Sequence, residues 1–73
     1  MIEFEEWDKI VDMFYDYRGK KRVRITRSDG KVFEGTCDGY YEAEDSKGNN
    51  VLSIGIENYL FLAEEVDKVE FLD

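Results

Sequence analysis

The spacing of apolar residues changes at Gly19, and that change constrains the fold more than any other feature of the chain. Ahead of it Phe4, Trp7, Ile10, Val11, Phe14 and Tyr17 recur at intervals of three and four, the repeat of a single helical face. Glu3, Glu5, Glu6, Asp8, Asp12 and Asp16 supply the wet side. Early acids suit the positive helix N-terminus, Arg18 suits the C-terminus, and Gly19 can take the left-handed conformation that ends a helix. Beyond Gly19 the period falls to two, with Val23 and Ile25 alternating against Arg22, Arg24 and Thr26. A chain built this way predicts one amphipathic helix over residues 1–18, followed by strands over residues 19–73.

The strands are read from turns and alternation. Ser28-Asp29-Gly30 is a hairpin turn after the first strand. A second strand is expected from Lys31 to about Tyr41, where Gly35 and Gly39 mark bends that let it serve two halves of a sheet. Residues 42–50, Glu-Ala-Glu-Asp-Ser-Lys-Gly-Asn-Asn, are expected to form a solvated loop; they lack the ligand pattern of a calcium loop. A third strand follows, with Leu52, Ile54 and Ile56 inward and Ser53, Gly55 and Glu57 outward. Tyr59 to Ala63 form a short apolar strand, and a last one faces Val66, Val69 and Phe71 inward with Lys68 and Glu70 out. Proline is absent, so every strand residue can donate to a ladder.

Composition sets the bounds. Seventy-three residues make one domain, near the lower limit for independent folding. The aromatic content of 15% is too high for a disordered acidic tail. No basic-then-apolar leader opens the sequence and no apolar run approaches ~20 residues, so the expectation is a cytoplasmic protein without a membrane span. Cys37 is the single cysteine and histidine is absent, which excludes an internal disulfide and a four-ligand Cys/His zinc site. The same absence removes every Ser-His or Cys-His nucleophile pair. The expectation is a protein that is not an enzyme and carries no cofactor and no metal. Cys37 shares a face with Phe33 and Gly35 and reads as a small buried hydrophobe.

A helix followed by five short, strongly bent antiparallel strands would close as a small mostly-β barrel, a pattern that SH3-like barrels also produce and one that removes exposed sheet edges. The stretch VRITRSDGKVFEGTCDGYYEAED resembles the first motif of the Sm-like family, through the turn at Asp29-Gly30, the aromatic at Phe33, the bend at Gly35 and the pair Gly39-Tyr40. FLAEEVDKVEFL is similar to the closing strands of the second motif. The chain is also similar to short bacterial Sm-like proteins of unassigned function, which share a GKKVRI-like start, an acidic loop and a like closing strand. RNA-binding members hold a uridine with an Asp-x-aromatic-or-His-Met-Asn segment and an Arg-Gly pair. Here Tyr41, Ala43 and Asp45 occupy the first set of positions and Leu62-Ala63 the second, so the base pocket of those members is not carried over. The resemblance further implies rings in which the fourth strand of one barrel pairs with the fifth of the next. Tyr59, Leu60, Phe61, Leu62, Val69 and Phe71 would supply those edges for a homo-oligomer.

Charge is unevenly placed. Residues 18–31 hold seven cations against Asp29 alone, a net +6, which leaves −14 on the rest of a chain of net charge −8. Lys21, Arg22, Arg24, Arg27 and Lys31, with Tyr40 and Tyr41 to stack on bases, form the candidate contact for RNA or another partner. An overall pI near 4.4 argues against RNA, because a nucleic-acid-binding domain is expected to be basic. The preferred expectation has the arginines facing Glu34, Asp38 or acids of the helix, with a protein partner, a second copy included, and RNA as the alternative. The helix is too acidic for a membrane surface, and its apolar face is expected to cover the barrel rather than to dock on a partner.

Overall fold

In the computed structural model, which describes residues 2–72, the first element is helix α1, Phe4–Asp16. Trp7, Ile10, Val11 and Phe14 are its buried face, and Glu5 and Glu6 lie in its first turn where the helix dipole favours negative charge. The chain leaves it through Tyr17, whose N–H still reaches Met13 O at 2.9 Å, and reverses at Gly19 with φ 73°. Phe4 departs from the expected stripe: it lies on the first turn of the helix and is 78% exposed. Arg18 falls beyond the helix rather than in its last turn.

Strand β1, Arg22–Arg27, buries Val23 and Ile25 completely, as alternation requires. It forms a hairpin with β2, Val32–Glu44, pairing Arg22 with Thr36, Arg24 with Glu34 and Ile25 with Phe33. β2 then changes partner. From Cys37 to Glu44 it pairs with β3, Asn50–Ile56, and between Cys37 and Tyr40 it carries one residue more than its neighbour. Gly39 takes up this bulge with φ 89°, a conformation costly for any other residue. Gly35 has a different reason: a Cβ there would overlap Cγ2 of Ile56. The two interruptions seen in the sequence are therefore a close approach and a bulge, and together they let one strand join both halves of the sheet.

A two-residue turn leads from β3 to β4, Tyr59–Phe61, and a 3₁₀ turn at Ala63–Glu65 precedes β5, Val66–Phe71. β5 runs antiparallel along β1, setting Val69 beside Ile25 and Phe71 beside Val23. The sheet order is β4-β3-β2-β1-β5. All neighbours are antiparallel, and β4 and β5 are the two ends. The expected closed barrel is thus not completed by hydrogen bonds. Its curl is visible in side chains instead, where Phe33 of β2 packs on Phe61 and Tyr59 of β4 at 5.3 and 5.5 Å between ring centres.

Two local expectations are corrected. The solvated loop is shorter than residues 42–50, because β2 continues to Glu44 and β3 begins at Asn50. Glu42 and Glu44 read as loop residues because they are charged, yet they occupy exposed positions of a strand. β3 is not half-buried throughout: Ser53 and Gly55 are covered as well as Ile54 and Ile56. Tyr41 and Leu60 lie over Gly55 from the outer side, and Ser53 Oγ satisfies itself by donating to Tyr41 O at 2.9 Å. Between sheet and helix lies the core, with Phe14, Val23, Ile25, Cys37, Ile54 and Val66 fully enclosed. Through Trp7, Ile10, Val11 and Phe14 the helix covers this core.

Candidate sheet-edge and basic surface

Alternation along β1 sends Arg22 and Arg24 to the outer face, opposite Val23 and Ile25. β1 lies between β2 and β5, and Arg24 has Glu34 opposite it on one strand and Glu70 on the other. Arg24 Nε donates to Glu34 Oε2 at 2.9 Å, and its Nη1 lies 3.8 Å from Glu70 Oε1. The Glu34 hydrogen bond raises the guanidinium pKa further above its ordinary value. Arg27 pairs with Asp29 in the hairpin turn at 3.3 Å, while its guanidinium lies over the Phe33 ring at 6.0 Å. Its Nε is buried with no hydrogen-bond partner among the described residues. Lys31 is exposed beside this turn, its backbone N–H donating to Asp29 Oδ1. Of the two acids expected to face the arginines, Glu34 does so, whereas Asp38 makes no ion pair with an arginine among the described residues and accepts from the Tyr41 hydroxyl at 3.0 Å. That bond pushes the Tyr41 phenol above its usual range.

The other end of the basic run has a different environment. Arg18, Lys20, Lys21 and Arg22 make no ion pair among the described residues. Arg18 lies over the Tyr15 ring at 5.2 Å and Lys21 over the Tyr17 ring at 4.6 Å. Tyr15 in turn packs on Tyr40 at 6.0 Å. Tyr40 and Tyr41, adjacent in β2, point to opposite faces, Tyr40 toward Tyr15 and Tyr41 over Gly55. Both lie beyond Thr36, the partner of Arg22, so they are set apart from Arg27 and Lys31 at the far end of β1. The run that is continuous in sequence is therefore two surfaces: an arginine ladder neutralised by its own acids, and an unpaired cationic corner. Arg18, Lys20 and Tyr15 belong to that corner although the candidate contact set omits them, because nothing in their spacing relates the helix end to β2.

At the sheet ends, Tyr59 and Leu60 of β4 are 58% and 54% exposed. Phe61 is in the core, and Leu62 lies past the strand. Val69 and Phe71 of β5 turn inward, Phe71 against Phe14 and Tyr17 at 5.4 Å each, so they offer the edge only their backbone. Among the described residues no group of three or more His, Cys, Asp or Glu side chains could hold a metal, and no helix is long and apolar enough to cross a membrane. Cys37 is fully buried, donates to Phe14 O at 3.3 Å, and has its thiol pKa raised because burial disfavours the thiolate. The chain matches no family model, no curated protein and no solved structure.

Proposed function

We propose that the protein is a non-enzymatic assembly module of Sm-like type, whose copies associate by adding the β4 edge of one chain to the β5 edge of the next. The observation that carries this reading is the sheet order, which leaves two unlike strand edges at opposite ends of one sheet. An unlike pair of edges makes a head-to-tail contact, which propagates and closes into a ring when the rotation permits. The exposed Tyr59 and Leu60 supply apolar surface beside the β4 edge, and unpaired backbone groups on an edge are a template for another strand. The helix ahead of five bent strands and the sharing of β2 between two partners support the small-barrel type.

Light scattering at tens of micromolar chain tests the reading. The expected result is a mass several times 8.6 kDa that falls to the monomer when Tyr59 and Leu60 are both replaced by lysine, since edge charges block strand addition. A monomer mass for the unaltered chain at both low and high salt overturns it.

A second reading, single-stranded RNA, is favoured by one observation, the cationic corner of Arg18, Lys20, Lys21 and Arg22 beside exposed Tyr15 and Tyr40. Labelled RNA titrated across a salt series distinguishes it. Binding tighter than micromolar that weakens steeply with salt supports RNA, because released counterions set that slope.

A further inference from the structure

Among the described residues β4 pairs only with Ile54, Gly55 and Ile56, and no strand lies along the free edge of the first half of β3. In place of one there is a groove with room for about 650 Å³, running between the start of α1, the start of β3 and the 3₁₀ turn. Trp7, Leu52, Leu62 and Ala63 line it, and Phe4 stands at its side. The groove is braced on both walls. Trp7 Nε1 donates to Leu52 O at 2.8 Å, which fixes the indole, and Ile2 N–H reaches Ala63 O at 3.4 Å. A phenylalanine 78% exposed beside such a concavity is apolar surface that the folded chain does not itself cover.

The mouth is acidic. Asp8, Asp45 and Glu64 surround it, with Lys47 the one cation of the lining among the described residues. Two of these carboxylates are held in place: Glu64 accepts from Ser46 N and Oγ at 2.9 and 2.8 Å, and Asp45 accepts from Lys47 N and Asn49 N at 2.9 Å each. The backbone bond from Asn49 foremost keeps the Asp45 carboxyl below its ordinary pKa, hence charged. An acidic occupant would meet this mouth and the net −14 outside residues 18–31, so charge complementarity selects a cationic one. The apolar lining selects for a large aliphatic or aromatic side chain.

We propose that this groove is a docking site for a peptide segment of a protein partner, one that carries a large apolar side chain flanked by lysine or arginine. The apolar side chain enters between Trp7 and Leu62 beside Phe4, and the flanking cations meet Asp8, Asp45 and Glu64. The site is separate from the paired arginines of β1 and from the cationic corner, and it does not depend on ring formation.

Trp7 is the only tryptophan, so its emission reports on the groove directly. The probe is a blocked hexapeptide, Lys-Arg-Leu-Leu-Arg-Lys, titrated at physiological salt against the full chain. The expected result is a saturable change in Trp7 emission, absent with Glu-Asp-Leu-Leu-Asp-Glu and with the basic peptide in which glycine replaces leucine. Phe4→Ser and Asp8→Lys, both at exposed positions, are each expected to weaken binding about tenfold while leaving the urea midpoint unchanged. No saturable change with the basic peptide overturns the proposal. Equal binding of the glycine peptide, or full affinity in both variants, overturns it too, since either result places the contact elsewhere or makes it charge alone.

Discussion

At Gly35 the side chain of Ile56 occupies the space a Cβ would need, and Glu57 closes the other side at 3.1 Å. Gly35→Ala is accordingly expected to lower stability by about 1–3 kcal/mol, the usual cost of forcing extra volume into a packed site. A urea titration followed by Trp7 emission checks it, and an unchanged midpoint would mean that β3 moves aside freely. Cys37 offers the contrast of a residue whose fate was readable: alternation put it on the inner face, and it is fully buried with its thiol turned to a helix carbonyl. Phe4 was not readable. It keeps the helical spacing of Trp7 and Val11, but spacing defines a stripe and not which of its residues the rest of the chain covers.

Among the elements, α1 and β1 follow directly from their periods, whereas the β2–β3 connection does not. Its turn is built on Asp45, whose carboxylate gathers the N–H groups of Asn49 and Lys47. These bonds favour the ionised form, so the folded pKa is depressed. A depressed carboxyl contributes stability that is present above its unfolded value of about 3.9 and is lost as pH falls through the folded value. In an NMR titration, the Lys47 and Asn49 amide shifts are expected to move together with a midpoint below ~3.9. A midpoint at or above that value would detach the turn from the carboxylate. At the next connection, Glu57 adopts φ 53° to fit the two-residue turn between β3 and β4, a conformation no residue preference announces.

Over the whole molecule, charge works against compaction. The body measures 33 × 24 × 23 Å, so at about 10 mM salt, where the Debye length is about 30 Å, most of its surplus acids repel one another across it. Raising salt to about 0.15 M shortens that length to ~8 Å. The expected outcome in dilute solution is a melting temperature a few degrees higher at the greater ionic strength. A fall would give the local pairs, Arg24 with Glu34 first among them, more weight than exposed ion pairs ordinarily carry.

The sequence by itself determined the helix, the hairpin at Asp29-Gly30, the inward faces of β1 and β5, and the burial of Cys37, because each depends on period or on one local turn. Tertiary structure decided which partner each end of β2 takes, that the ladder stays open between β4 and β5, and that Ser53 is covered from outside. It also divided the basic run, pairing Arg24 and Arg27 with acids while Arg18, Lys20, Lys21 and Arg22 make no ion pair among the described residues. Neighbours across a sheet are set by where strands bend and how long they last, and charge pairing depends on those neighbours. Periodicity carries no such distances: it places the arginines on the outer face and offers Glu34 and Asp38 alike as partners, and only the strand register separates the two.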